Sequence, residues 1–582
     1  MKTILATLNA KYIHMNLAIR YLKAYAESEY DIEIAEYTIK DPILNIVSDL
    51  YKRKPDVIGF SCYIWNIEET VKVIQILKKA SPNIKIILGG PEVSYDVGYW
   101  LQRLPEVECI VMGEGEGTFK ELLQIYQDNG SLEDCLGIAY LVNGKLTVNM
   151  ARPKLDLKEL PSPFRFKEDL NSLSKRVIYI ETSRGCPFNC QFCLSSIEIG
   201  VRYFNREKIK EDIRYLMNHG AKTIKFVDRT FNISRKYAMD MFQFLIDEHK
   251  PGVVFQFEIT GDIMRPEVIN FLNENAPKGL FRFEIGVQST NDLTNELVKR
   301  RQNFEKLSRT VRMVKSGGKI VQHLDLIAGL PEEDYNSFRK TFNDVFELEP
   351  EELQLGFLKM LRGTGLRIQA KEWQYTYMDY APYEILSNNV LTLDEIIKIK
   401  LVEDILEKYW NDHRMDATIK FIVNNIFDSP FDFFQQFGIF WNEKGWSKIG
   451  HQLEDLFVRL YQFLENMGTE ELPTILGLMK YDYIIRHKFM PRKVWWNRTV
   501  SREELRQIFL TLPELEHLPY HIKNISERDF YKNILIEKVN IDLNSYIEEN
   551  RLKSFEQYAL FYFDGNGNCE YYPIKKLPSI VS

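Results

Sequence analysis

Between residues 177 and 358 of this 582-residue chain, six short runs rich in β-branched and aromatic residues alternate with amphipathic stretches. The runs are 177–181, 223–227, 253–259, 281–287, 320–327 and 353–358. Between them, apolar residues recur at helical spacing: Ile209, Ile213, Leu216 and Met217, stopped at Gly220; Ala238, Phe242 and Leu245; Leu307, Val311 and Val314; Phe338, Phe342 and Val345. Strands separated by helices pair in parallel, because each crossover returns the chain to the same end of the sheet. Six such units predict a parallel barrel or partial barrel, with functional groups at the carboxyl ends of its strands.

The same alternation fills residues 1–145. Runs at 4–8, 56–61, 84–88 and 108–112 are interleaved with a helical pattern at 16–26 and with Ile67, Val71, Ile74 and Leu77 on one helical face. A Rossmann-like, flavodoxin-like doubly wound sheet is the natural solution. Its loops at 9–14, 61–66, 89–92 (GGPE) and 113–117 (GEGEG) are polar and glycine-rich, and ligands of open α/β sheets bind where such loops lie. Residues 146–172, with PKL and PSPF, read as a linker, and 173–385 as the barrel domain. From about 386 to 582 helical patterns dense in aromatics take over, giving a mainly helical third domain with a terminal hairpin around DGNGN at 564–568.

Composition narrows the function classes. With 45% hydrophobic and 27% charged residues, whole-chain disorder, a collagen-like repeat and a membrane bundle are all disfavoured. A net charge of −7 supplies no bulk field for polyanions. The segment 491–498, PRKVWWNR, mixes bases and aromatics as single-strand binders do, but so short a patch reads as a packed surface turn, and nucleic acid is not an expected partner. Asp564, Asn566 and Asn568 have the first ligand spacings of a calcium loop, which fails at Cys569 and Lys575, where Gly and a bidentate Glu are needed. The apolar run at the N-terminus is shorter than a secretory signal, and no stretch approaches the roughly 18 apolar residues of a membrane helix. Seven cysteines, an odd number, point to a reducing cytoplasm rather than a disulfide framework.

Three of the seven are clustered. YIETSRGCPFNCQFCLSS places Cys186, Cys190 and Cys193 in a C-x3-C-x2-C spacing directly after the first barrel run. Structural zinc sites are closed by a fourth ligand, usually from a second knuckle, and no such knuckle follows. A 4Fe-4S cluster held by three cysteines, with one iron open, suits an incomplete ligand set at a barrel mouth.

This motif, with Phe192 as its aromatic residue, resembles that of the radical S-adenosylmethionine (SAM) enzymes. Further segments match that pattern in order: FVDRTFN with Asp228, FQFEITGD with Glu258, FEIGVQS with Gly286, Gln288 and Ser289, and HLDLIAGLPEE with Asp325. The first domain resembles the cobalamin-binding domain that precedes the barrel in one large class, and the tail resembles an uncharacterised domain of a subset of it. The resemblance implies a cluster on Cys186, Cys190 and Cys193 whose open iron chelates SAM, and reductive release of a 5′-deoxyadenosyl radical. It implies SAM contacts at Phe192, Asp228, Glu258, Gln288 and Ser289. Phe192 packs on adenine or plugs the space beside the cluster, and Asp325 braces its loop or serves the site.

For cobalamin, the resemblance implies contacts at Ser61, Gly89, Gly90, Gly113 and Glu114. No D-x-H-x-x-G string occurs in this first domain, so histidine ligation from it by that route is ruled out. His14, the one histidine of this domain, is either a contact or a turn residue, and Cys62 reads as a buried thiol. The leading expectation is a cobalamin-dependent methyltransferase acting on an unactivated carbon of a small-molecule substrate, served by a one-electron donor such as flavodoxin or ferredoxin. A non-methylating radical enzyme with a scaffold first domain, and a non-catalytic redox or cobalamin sensor, are the competing expectations.

Overall fold

The computed structural model describes residues 1–574 apart from 198, 488–494, 498, 499, 550, 552, 554 and 566. The chain forms two compact units, Met1–Ile396 and Ile397–Ser582.

The first unit opens with a seven-stranded sheet: β1 (Lys2–Asn9), β2 (Asp31–Thr38), β3 (Val57–Ser61), β4 (Lys85–Gly89), β5 (Cys109–Val111), β6 (Ile138–Val142) and β7 (Lys145–Val148). Their order is β2-β1-β3-β4-β5-β6-β7, parallel through β5 and antiparallel at the last two pairings. β1 is buried along nearly its whole length, as a central strand covered on both faces must be. Helix Leu17–Ala26 starts at Asn16, whose side chain accepts from the Ile19 amide. Helix Ile67–Ala80 buries Ile67, Val71, Ile74 and Leu77 in a core shared with Ile4, Ile58 and Ile86. Each such side chain contributes about 1.5–3 kcal/mol by leaving water. Between β1 and β3 the connections diverge, so the strand ends splay there and leave a crevice.

The second sheet follows. β8 (Val177–Ile180) leads into a short antiparallel ribbon, β9 (Ser183–Arg184) with β10 (Arg202–Tyr203). Then come β11 (Thr223–Phe226), β12 (Val254–Ile259), β13 (Phe281–Gln288), β14 (Val321–Ala328) and β15 (Glu352–Phe357). The six long strands are all parallel, in the order β15-β14-β13-β12-β11-β8, with β8 and β15 at the edges: a partial barrel. Strict period-2 alternation sorts its side chains. Phe226, Phe255, Phe257, Phe281 and Phe283 are buried on one face, with the rings of Phe226 and Phe257 stacked at 4.4 Å. Tyr179, Lys225, Glu258, Glu284, His323 and Asp325 occupy the other. Register sets Glu258 beside Glu284, Glu284 beside His323, and Gly286 beside Asp325.

The linker is stitched between the two sheets. Buried Arg20 pairs with Asp169 at 2.7 Å and Glu36 at 3.0 Å, and Arg176 pairs with the same Glu36 at 2.5 Å. The Val177 amide donates to the Ile13 carbonyl at 2.8 Å, so the loop after β1 runs alongside the start of β8. The first unit also extends past the expected boundary near 386. A small ribbon, Thr376–Tyr377 with Ile385–Ser387, and an Ile385 amide bonded to the Leu358 carbonyl fasten this stretch to the barrel.

The second unit is mainly helical, with helices Asp416–Asn425, Pro430–Glu443, Leu453–Met467 and Leu472–Ile484 around an aromatic core of Tyr409, Phe433, Phe437, Trp441 and Phe463. It also carries a three-stranded antiparallel sheet, Ile534–Val539, Gln557–Phe563 and Cys569–Ile574. Most of the PRKVWWNR segment, Asn566 and Lys575 lie outside the described residues. Among the described residues no helix is long and apolar enough to cross a membrane, and all seven cysteines are free thiols.

Candidate active site

Cys186, Cys190 and Cys193 lie on the loop between β9 and β10, beyond the carboxyl end of β8. Cys186 and Cys190 are buried and Cys193 is partly so. The loop is pinned by its own backbone: the Gly200 amide donates to the Cys186 carbonyl at 3.1 Å, and Ser196 Oγ donates to the carbonyls of Cys190 and Cys193 at 2.8 and 2.6 Å. Burial pushes the Cys186 and Cys190 thiols up, and the neighbouring thiols of the trio add to it. Phe192 sits between two of them, partly buried.

Asp228, expected to contact SAM, is 1% exposed. Its carboxylate accepts from the Thr182 amide and hydroxyl and, at 2.5 Å, from the Ser183 hydroxyl. These bonds fix the start of the cysteine loop against the end of β11. Arg184, inside the RGC motif, reaches the other way, pairing with Glu181 at 2.7 Å and with Glu116 of the first sheet at 2.6 Å.

Across the barrel mouth, Glu258 projects from β12, its carboxyl raised by burial although Arg229 and Lys225 oppose the shift. At Gln288 the register of β13 slips against β14 and φ is +69°, in the left-handed region. The Gln288 side chain folds over Gly286, where a Cβ would lie 2.4 Å from Nε2. Its Oε1 is sealed from solvent and accepts no hydrogen bond from a described residue. Ser289 is placed differently: wholly buried, it donates to Glu333 at 2.5 Å, beneath the strand end. Burial holds Glu333 up at about 7 despite that bond. Arg300 donates to the Gly286 carbonyl and lies beside Cys190, tying the β13 end to the cysteine loop. Deeper on this face His323 meets Asp325 at 3.0 Å and Glu352 at 3.3 Å. Burial works against its charge, but these two carboxylates win and lift it to about 9.

A cavity of about 770 Å³ opens where the two sheets meet. Ser61, Gly89, Gly90, Gly113 and Glu114 all line it from the carboxyl ends of the first sheet, and Tyr179, Glu181, Arg184 and Arg229 line it from the barrel. Asn66, fully buried, holds the crevice open by donating to the Leu8 and Ser61 carbonyls at 3.1 and 3.0 Å. Gly90 has φ +109°, and a Cβ there would lie 2.4 Å from the Cys62 carbonyl oxygen. Glu114 pairs with Arg202 and accepts from the Leu155 amide at 3.1 Å; burial raises it, but Arg202 and Arg184 more than compensate. His14 also lines the cavity and shares a 2.7 Å hydrogen bond with the Tyr179 hydroxyl.

Three features escaped the sequence reading. Tyr63 and Trp65 stack at 4.3 Å with planes 7° apart on the cavity wall. Arg229 lines the cavity directly after Asp228. The segment after β15 crosses both halves: Arg362 pairs with Asp96 and its guanidinium lies 3.8 Å from the Tyr99 ring, while the Leu366 amide donates to the Gln191 carbonyl at 3.0 Å. The glycines of LRGTGLR were the available signal, since a Cβ on Gly363 would strike Tyr95 and one on Gly365 would strike Gln191.

Comparison with known proteins bears on this arrangement. Residues 3–123 match the B12 binding domain model, 180–345 the radical SAM superfamily model, and 371–561 a protein family of unknown function, DUF4080. The chain carries a radical SAM domain with a B12-binding domain ahead of it. An uncharacterized methyltransferase of Pyrococcus horikoshii is 26% identical over 66% of this chain and 83% of its own length. The cobalamin-dependent radical SAM methyltransferase TokK of Streptomyces tokunonensis is 26% identical over 63% of this chain and 56% of its own. The structure of the cobalamin-dependent SAM radical enzyme OxsB with aqua-cobalamin and SAM bound has the same fold, with a TM-score of 0.55 at 17% identity, covering 82% of this chain and 79% of that one.

The residues of these two domains fit the groups the domains imply. Three soft donors lie within eight residues on a loop that hydrogen bonds hold, and among the described residues no Cys, His, Asp or Glu set stands ready for a single ion. That donor set suits a cluster whose thiolates take different irons. The sealed Gln288 Oε1 awaits a donor such as an amino or ribose hydroxyl group. Along the crevice, glycines let a planar ligand approach the backbone closely.

Proposed function

We propose that this chain is a cobalamin-dependent radical SAM methyltransferase acting on an unactivated carbon of a small-molecule substrate. The observation that carries the reading is the single cavity lined both by the first-sheet loops and by the barrel residues flanking the cysteine loop. Cys186, Cys190 and Cys193 would hold a 4Fe-4S cluster; Phe192, Glu258, Gln288 and Ser289 would serve SAM; and Ser61, Gly89, Gly90, Gly113 and Glu114 would border the corrin. When bound, these groups supply the electron, the 5′-deoxyadenosyl radical and the transferable methyl group.

The chain's own residues position and enclose. Asp228 holds the first residues of the cysteine loop in one place, and Arg184 keys that loop to the first sheet. Gln288 offers an unmatched acceptor at the barrel mouth, while Ser289, being buried, would serve SAM only through the loop it supports. The stacked Tyr63 and Trp65 rings form one wall of the cavity. Seven free thiols and oxygen-sensitive chemistry support a reducing, cytoplasmic setting. The test is anaerobic purification after iron, sulfide and hydroxocobalamin loading: about four irons per chain and a retained corrin spectrum support the reading. A chain that takes up iron but no corrin would instead be a radical enzyme with a scaffold first domain.

A further inference from the structure

The turn after helix Asp292–Leu297 is fastened to the cysteine loop, because the Gln191 amide donates to the Val298 carbonyl at 2.9 Å. Beyond this junction the exposed surface becomes basic. Lys299, Arg301, Lys306, Arg309 and Arg312 are all exposed, and no ion pair joins any of them to a described residue. Helix Phe304–Gly317 buries Leu307, Thr310, Val311 and Val314, so positions 306, 309 and 312 fall outward, three residues apart. The exposed carboxylates on the same stretch are Asp292, Glu296 and Glu305; Asp262, from the neighbouring strand end, accepts from the Asn303 amide at 2.9 Å. Five cations without an ion-pair partner among the described residues, against three exposed carboxylates, is a local reversal in a chain of net charge −7.

A patch of one sign attracts a partner of the other and speeds its arrival. Resting on the radical SAM reading, in which the cysteine loop must receive electrons one at a time, we propose that the surface of Lys299, Arg301, Lys306, Arg309 and Arg312 docks an acidic one-electron carrier protein. The carrier is oxidised by one electron, the site on the cysteine loop is reduced by one, and no atom is exchanged. The fastening of Gln191 to Val298 sets the docked carrier next to the backbone that bears Cys190, and the low exposure of Cys186 and Cys190 explains why a protein carrier needs a prepared surface there.

The test uses the full-length, cofactor-loaded chain with an acidic flavodoxin as probe, read by titration calorimetry at about 50 and about 300 mM salt. The triple variant Arg301→Glu, Lys306→Glu, Arg309→Glu should bind at least about tenfold more weakly at low salt, and wild-type binding should weaken with salt while the variant's does not. Flavodoxin-driven 5′-deoxyadenosine formation should fall about tenfold, with the rate under photoreduced deazariboflavin unchanged. The pair Lys299→Glu, Arg312→Glu should act in the same direction. Equal flavodoxin binding by wild type and both variants overturns the proposal, as does no binding by wild type. It is also overturned if a short RNA, and not flavodoxin, binds wild type and is lost in the variants. Failure of deazariboflavin to yield 5′-deoxyadenosine in wild type would count against the radical reading, while the titration still decides docking.

Discussion

Tyr383 donates its hydroxyl to the Glu92 carboxylate at 2.5 Å, joining the loop after β4 to the segment that runs on from the last barrel strand. Arg362 completes the junction, with Nε 3.1 Å from the Tyr383 hydroxyl and 3.5 Å from Glu92. Glu92 is therefore a docking residue of the GGPE loop, and burial holds its carboxyl up at about 7 in spite of Tyr383 and Arg362. Arg362→Ala leaves that buried acid without its cation and should lower stability by about 3 kcal/mol. Tyr383→Phe, which removes one hydrogen bond, should cost about 1–2 kcal/mol. Urea unfolding of the two variants checks the order; a larger loss in Tyr383→Phe would contradict this junction.

Gly90 borders the crevice where backbone and ligand come closest. Its φ of +109° and the 2.4 Å approach of a Cβ to the Cys62 carbonyl leave an alanine nowhere to go without moving the loop. Gly90→Ala should destabilise the chain by about 2 kcal/mol and reduce corrin retention, read from the visible spectrum of desalted protein. Gly144→Ala, on the β6–β7 turn with nothing within 4 Å of its Cβ, should leave corrin retention as in wild type.

Asp228 is held by donors on Thr182 and Ser183 and by nothing from the cavity side. Asp228→Ala should strip the cysteine loop of its anchor, lowering iron uptake on reconstitution and stability by about 2–4 kcal/mol. If iron content stays at the wild-type level, the loop does not depend on this carboxylate.

Much of this architecture was legible because it is written locally. Period-2 runs and 3.6-residue faces announce the parallel strands and their crossovers, and three thiols within eight residues announce the site. β2 went unread because DIEIAEYT intersperses acids among its apolar residues, and the β6–β7 hairpin because its second strand, KLTV, is largely exposed. The junctions are invisible for a different reason: Arg362 meets Asp96 across 266 positions, and no short pattern records such a pairing. Ser289 could be placed at a strand end from sequence, but the left-handed backbone at Gln288, which precedes its turn toward Glu333, could not.

His323 makes a pH prediction. Its folded value of about 9 lies above the ordinary 6.5, so its contribution is complete below pH 6.5 and disappears as pH rises through 9. Wild type should lose about 3 kcal/mol across that window, and His323→Gln should flatten the profile. An unchanged slope in the variant would assign the pH dependence elsewhere.

The central claim is that radical and methyl chemistry share the cavity between the two sheets. The direct measurement is anaerobic incubation of the iron-, sulfide- and corrin-loaded chain with SAM and a reductant, with nucleoside products resolved by chromatography. Formation of both 5′-deoxyadenosine and S-adenosylhomocysteine, each abolished in Cys190→Ala or in corrin-free protein respectively, is the predicted result. Deoxyadenosine without S-adenosylhomocysteine would contradict the methyl-transfer reading, and neither product from the loaded chain would contradict the account as a whole.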